Sequence, residues 1–287
     1  MKNAENATIR NPGGLALLYR HLAVLLGTTG RSGEAEELLH KAIDLQTKLL
    51  AHSPTNAVHR YNLAISQHYL ANLLRDSGQS PAAEKSYLEA LDHQEQLTAL
   101  YPRNADYQLE LARILSDQGN WLRAAGQSGE AQEVFHKASE GFQRALQLTP
   151  QRHDVLYHRA RFLAICPDPQ FRDAGQAVDL AQHAKVQAPQ AWYCWRALGQ
   201  ARYRSGDWKA SVTALEESMK FYAGGNASDW FFLAMAHWQL GDRPHARRWL
   251  DQAVKWMDKY QPKHEELGRF RAEAEALTRP QETLPPK

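Results

Sequence analysis

The sequence predicts an all-α protein, a solenoid of about six stacked helical hairpins followed by a C-terminal capping helix. Three observations predict it. A phrase recurs every 48 residues, as SGEAEELLHKA from Ser32, SPAAEKSYLEA from Ser80 and SGEAQEVFHKA from Ser128. Small residues keep that interval: Ala16, Ala64, Ala112 and Ala160, then Ala35, Ala83 and Ala131, then Ala42, Ala90 and Ala138. Helix punctuation keeps it too, with Gly30, Gly78 and Gly126 ahead of the phrase and Pro54, Pro102 and Pro150 behind it. Units of this size stack because each buries an apolar face that it cannot cover alone.

The elements follow in chain order. Residues 1–12 read as a flexible N-terminus, and residues 13–150 as three elongated hairpins of 48 residues each. In each hairpin the glycine closes the first helix, because it accepts the left-handed cap conformation. Ser32, Ser80 and Ser128 stand two residues later as expected N-caps of the second helix, and the proline ends it. The alanines let paired helices approach to roughly 8–10 Å. The first helix begins near Gly13 with no dedicated cap before it, so Leu15, Leu18 and Leu22 are expected to meet a partner or an upstream segment. Residues 151–189 read as an irregular hairpin, with helices near Asp154–Ile165 and Ala174–Ala188 joined by the Pro-punctuated loop CPDPQFRD. Two shorter hairpins occupy residues 190–260. KHEELGRFRAEAEALT, within residues 261–278, reads as a solvated capping helix charged on most of its circumference, and residues 279–287 as a disordered tail.

The pattern resembles the tetratricopeptide repeat (TPR). WRALGQARYRSGDWKAS carries Trp195, Leu198, Gly199 and Gly206 at the family spacing, and Trp230, Leu233, Ala234, Gly241, Ala246 and Ala253 repeat it 35 residues on. Arg202 and His237 stand where the family has tyrosine. Against the 34-residue family form, each 48-residue unit gains seven residues in each of its two helices, as the alanine and proline spacings show. Seven residues fall only ~20° short of two full turns, so the buried face is kept while each helix grows by roughly 10 Å. The resemblance implies a right-handed α-α superhelix with no catalytic activity. Residues 157–277 are also similar to the TPR regions behind the catalytic domain of large bacterial Ser/Thr protein kinases, which implies a bacterial signalling setting. No kinase motif is present in the chain.

Composition excludes other classes. Hydrophobic content of 43% and charged content of 23% are ordinary for a globular protein, and a net charge of +2 argues against nucleic acid or a membrane surface as partner. Cys166 and Cys194 form no CxxC pair, so neither a disulfide framework nor a cysteine zinc site is expected, and a reducing cytoplasm is the expected compartment. The start MKNAENATIRNPGG lacks the apolar core of a signal peptide. No Gly-rich phosphate loop, HExxH or GxSxG occurs, so the expectation is no enzyme, no cofactor and no metal.

In TPR-like superhelices the first helix of each pair lines a concave groove. Carried onto this sequence, the resemblance gives candidate groove residues Tyr61, His68, Arg113, Tyr157, Arg161, Tyr193, Arg196, Gln200, Tyr203, Arg204, Phe231, Trp238 and Gln239. Trp195 and Trp230 are expected between helices instead. A groove of aromatics and arginines suits an extended acidic peptide, since guanidinium clamps carboxylate with two parallel hydrogen bonds. Arginines that merely pair with neighbouring Asp and Glu are the plainer alternative. The expected function is therefore a protein-interaction scaffold. A regulatory module acting beside a separate Ser/Thr kinase and a self-assembling solenoid of unspecified oligomeric state are its rivals.

Overall fold

The computed structural model describes residues 11–279; the expectations for residues 1–10 and 280–287 lie outside the described residues. As the sequence predicts, the described chain is all-α, and no strand occurs among the described residues. The helices are α1 (Pro12–Thr28), α2 (Ser32–His52), α3 (Ala57–Asp76), α4 (Ser80–Leu100), α5 (Ala105–Ala124), α6 (Ser128–Leu148), α7 (His153–Ile165), α8 (Ala174–Gln187), α9 (Trp192–Arg204), α10 (Trp208–Phe221), α11 (Ala227–Gln239), α12 (Arg243–Tyr260) and α13 (Glu265–Thr278). A single 3-10 turn, Pro169–Phe171, interrupts the loop after α7.

Two compact units divide between Ile114 and Leu115, inside α5. In the first, α1 pairs with α2 and α3 with α4, and α2 packs on α3. In the second, α7 pairs with α8, α9 with α10 and α11 with α12, while the first helices α7, α9 and α11 neighbour one another. The extra residues of the 48-residue units are helical. Helices α3 and α5 have 20 residues against 13 in α7, α9 and α11. Helices α2, α4 and α6 have 21 against 14 in α8 and α10.

The repeating alanines are the contact points. Ala16, Ala35, Ala42, Ala64, Ala83, Ala90, Ala112, Ala138 and Ala160 are all 0% exposed. In the added turns Gln46, Gln94 and Phe142 keep the 48-residue register and are buried, as are Leu39, Tyr87 and Phe135 between the alanines. Opposite Phe135 lies Gly119 of α5, where an added Cβ would stand 2.5 Å from the phenyl ring. Tyr87 spends its hydroxyl on Asn72, 2.6 Å away, and accepts from Arg75 at 3.0 Å, so the larger ring brings its own polar satisfaction.

The turns correct one expectation. Ser32, Ser80 and Ser128 are the first residues of their helices rather than N-caps; Arg31, Gln79 and Gln127 hold the cap position and make no side-chain cap bond. The cause is the shortness of the turn. Gly30, Gly78 and Gly126 have φ near +80°, and the next residue donates its N–H back to Leu26, Leu74 or Leu122. That residue closes one helix and opens the next, leaving serine one place too late. In the shorter pairs an aspartate occupies the same place, and Asp207 and Asp242 do accept cap bonds. At the start of the chain α1 exposes Leu18 and Leu22, as well as Leu25.

Gln127→Asp is expected to supply the missing cap and raise stability by about 0.5–1 kcal/mol, read as a higher urea midpoint with unchanged slope. Gly119→Ala gives the opposite sign. Although alanine is the better helix former, overpacking against Phe135 should cost about 1–3 kcal/mol, and Phe135→Leu should relieve it in the double variant.

Candidate functional site

The candidate residues divide between the two units. Tyr61, His68 and Arg113 belong to the first. Tyr61 packs its ring 5.2 Å from Tyr107. His68, 1% exposed, approaches Glu110 at 2.8 Å, and Arg113 donates to the other oxygen of the same carboxylate at 2.6 Å. Glu110, itself 2% exposed, thus gathers two candidates onto one buried charge. Such a charge needs this pairing, since an unneutralised carboxylate away from water is costly.

In the second unit the candidates fall on α7, α9 and α11. Tyr157 and Tyr193 lie against each other, with ring centroids 4.9 Å apart, and the Tyr193 hydroxyl is 3.3 Å from His153 Nδ1. Arg196 clamps Asp229 along one guanidinium edge, Nε and Nη2 donating to the two carboxylate oxygens at 2.7 and 2.6 Å, and lies 4.5 Å over the Trp192 ring. Asp229 also accepts from Asn226 N–H as the third residue of the capping box opening α11. This pair ties α9 to the start of the next hairpin. Gln200 is buried and donates to Ser228 at 3.0 Å, and Phe231 is 0% exposed. Trp238 is half-buried, with the Arg243 guanidinium 3.6 Å over its ring, and Gln239 is exposed. Of the two tryptophans expected between helices, Trp230 is buried and Trp195 half-buried; their indole N–H groups donate to the carbonyls of Gly224 and Pro189.

The remaining arginines meet α13. Arg161 of α7 donates to Glu266 at 2.6 Å. Arg204 of α9 holds both oxygens of Glu273, one of them at 2.7 Å, and its guanidinium lies 5.3 Å over Phe232. Phe270, between the two glutamates, is 0% exposed and meets Phe232 of α11 edge-on at 5.0 Å. So α13 lies across the first-helix face of the second unit, touching α7, α9 and α11. This corrects the reading of α13 as a solvated cap, for Leu267, Phe270 and Ala274 are buried along one side.

The electrostatics of this face are uneven. Arg172, Arg204 and Arg269 act on one another, Arg161 is drawn to Glu266 and Asp117, and Glu273 and Asp168 act on Arg172. Burial pulls Arg269 below the usual arginine range, and Arg172 and Arg204 add to that while Glu266 opposes it. One Arg269 terminal nitrogen is buried without a hydrogen bond. Burial would raise Glu266, yet Arg161, Arg269 and His264 outweigh it and hold the carboxyl below its usual value. The cysteines offer no nucleophile. Burial pushes Cys166 up to about 11 and Cys194 up to about 12, so both stay protonated near neutrality.

Glu110, Asp229, Glu266 and Glu273 are the carboxylate partners of the candidate residues that the sequence reading missed. Glu266, Phe270 and Glu273 are four and three residues apart and so share one helical face. Leu267, Phe270 and Ala274 carried the amphipathic signal beside them.

The fold and this face define a stack of helical hairpins whose first helices present arginine and aromatic side chains. TPR family models match residues 15–54, 70–133 and 230–252, so these segments are similar to tetratricopeptide repeats. No curated protein sequence matches it. Among solved structures it is similar to PilF of Pseudomonas aeruginosa, with 18% identity over 92% of this chain and 100% of that one, at a TM-score of 0.41. It is also similar to MamA of Desulfovibrio magneticus RS-1 (15% identity, 66% and 95% covered, TM-score 0.46). A third is YrrB, described as a TPR protein with an unusual peptide-binding site (17% identity, 79% and 97% covered, TM-score 0.41). At such identities and scores these likenesses bear on neither partner nor activity.

Glu266→Gln tests the seat of α13. A carboxyl held low when folded stabilises fully above the ordinary glutamate range of about 4.3 and loses that effect as pH falls through its lowered value. The variant should be less stable than the parent by about 1–3 kcal/mol at pH 7. The gap should shrink in denaturation curves taken below about pH 4.

Proposed function

We propose that the chain is a non-enzymatic protein-interaction scaffold whose second unit receives an acidic segment on its first-helix face. The observation that carries this reading is the seating of α13. Arg161 and Arg204 grip Glu266 and Glu273 with Phe270 anchored between them. An acidic helix with an apolar residue between its carboxylates is therefore a ligand this face already accommodates. Arg269 keeps a buried guanidinium donor without a hydrogen bond, a donor left for a partner's carboxylate. Guanidinium fits such a partner because each carboxylate can take two aligned hydrogen bonds. The partner competes with α13 for Arg161 and Arg204, so α13 sets the threshold for binding.

The same reading assigns different work to the other candidates. Arg196 and His68, with carboxylates of their own units, support the scaffold. Tyr157, Tyr193, Trp238 and Gln239 retain exposed surface and supply the outer contacts. A role beside a separately encoded bacterial Ser/Thr kinase is a second reading, carried by the resemblance of residues 157–277. A reducing, cytoplasmic setting suits the two free cysteines. End-on self-association is a third reading, favoured by the exposed Leu18, Leu22 and Leu25. No helix among the described residues is long and apolar enough to cross a membrane.

A fluorescent peptide copying residues 264–278 serves as the acidic probe. It should bind Glu266→Gln/Glu273→Gln at least about tenfold more tightly than the parent, since charge-assisted bonds of about 1.5–3 kcal/mol no longer hold α13 in place. Adding Arg161→Met and Arg204→Met should abolish binding. A probe that ignores all three proteins overturns the acidic-segment reading.

A further inference from the structure

The turn between α11 and α12 brings together two imidazoles and a carboxylate that the scaffold reading does not use. His237 lies in the last turn of α11, Asp242 is the N-cap of α12 and His245 is in its first turn. One ligand atom from each lies within 4.8 Å of the other two. The backbone fixes all three. Asp242 N–H donates to the His237 carbonyl at 2.9 Å, and His245 N–H donates to Asp242 Oδ1 at 3.3 Å. Oδ1 therefore caps the helix and Oδ2 faces the rings. His245 Nδ1 stands 2.8 Å from Oδ2 and His237 Nδ1 3.2 Å from it, while the two rings stack at 5.3 Å.

Two features separate this group from ordinary ion pairs. First, His237 Nδ1 is buried and makes no hydrogen bond although it lies 3.2 Å from Oδ2. A ring-nitrogen lone pair facing a carboxylate oxygen is repulsive unless a cation lies between them. Second, the chain supplies an internal comparison one hairpin earlier. At the matching turn Asp207 caps α10 and is paired with Arg202 at 2.8 Å, and Ala210 stands where the second histidine would be. The sixth hairpin replaces that fixed cation by two imidazoles, of which His245 makes a hydrogen bond to Oδ2 and His237 makes none.

We propose that His237, Asp242 and His245 form a Zn²⁺ site that clips the end of α11 to the start of α12, with water completing the coordination. Zinc takes imidazole nitrogen and carboxylate oxygen at about 2.0–2.2 Å, so donors sharing one ion at 90–110° stand about 2.8–3.4 Å apart. The two measured separations from Oδ2 fall in that span. Imidazole with carboxylate favours zinc over magnesium or calcium, which prefer all-oxygen sets. His245 is exposed, which leaves the ion a way in.

The test is calorimetric titration of the full-length protein with Zn²⁺, repeated with Co²⁺ for its visible absorption, on the parent, His245→Ala and His237→Arg. His245→Ala alters an exposed side chain, and His237→Arg rebuilds the ion pair of the preceding turn, so both should fold, with far-ultraviolet circular dichroism as the check. The parent should take up one tight equivalent and show a tetrahedral Co²⁺ band. Each variant should lose the band and at least about tenfold in affinity, the loss that removal of even an outer partner of a metal site can cause. Should His237→Arg not fold, His245→Ala decides alone. No tight equivalent in the parent overturns the site. Uptake that is equal in parent and His245→Ala also overturns it, since the remaining histidines of the 13 in the chain would then account for the binding.

Discussion

Close approach of two helices through alanine is the constraint on which the rest of the structure depends. A methyl side chain at each crossing lets the backbones come near enough for the flanking leucines and aromatics to interlock. The alanines at the three repeated positions are shut off from solvent in nearly every hairpin. Because the crossing is set by these points, each helix could grow by a whole number of near-turns without losing its buried side. The seven-residue extension is such a length, and the added core positions are filled by residues in the same register. Against the Phe135 ring the opposing helix carries glycine rather than alanine.

A fixed crossing also fixes what the first helices present. In the second unit the outward positions of α7 and α9 carry arginine, and α13 returns over them with glutamates spaced to match. Ion pairs of this kind are weak sources of net stability, because desolvation offsets much of their attraction. Their strength is geometric. A guanidinium that finds a carboxylate at one register and not at another selects the orientation of the helix that carries it. Leu267, Phe270 and Ala274 supply the apolar burial, and the flanking pairs match its register. The zinc site argued above belongs to a different logic, a local clip within one hairpin, and neither depends on the other.

The architecture was legible because its signals are periodic. Alanine, glycine and proline recur at one interval, and each has a mechanical reason to stand where it does. The serine caps were misread, since a spacing of two after glycine does not reveal that one residue serves both helices. The candidate site was legible only as a list of residue types on first helices. His68, Arg113, Arg161, Arg196 and Arg204 all meet carboxylates of this same chain, and those partners lie 3 to 105 residues away in sequence. Periodicity within a hairpin carries no information about pairings that long. The docking side of α13 was visible in Leu267, Phe270 and Ala274, but the surrounding charge masked it. Small clusters at turns, such as His237 with Asp242 and His245, match no spaced motif, because the turn rather than a helix face brings them together.

Amide hydrogen exchange across residues 265–278, compared between the parent and Arg161→Met/Arg204→Met, tests most directly whether guanidinium–carboxylate pairing seats a helix on this face. The account predicts that the double substitution speeds exchange throughout α13 while the amides of α9 and α10 keep their protection. Unchanged protection of α13 would contradict it, and would mean that apolar packing alone holds the helix and that the arginines select nothing.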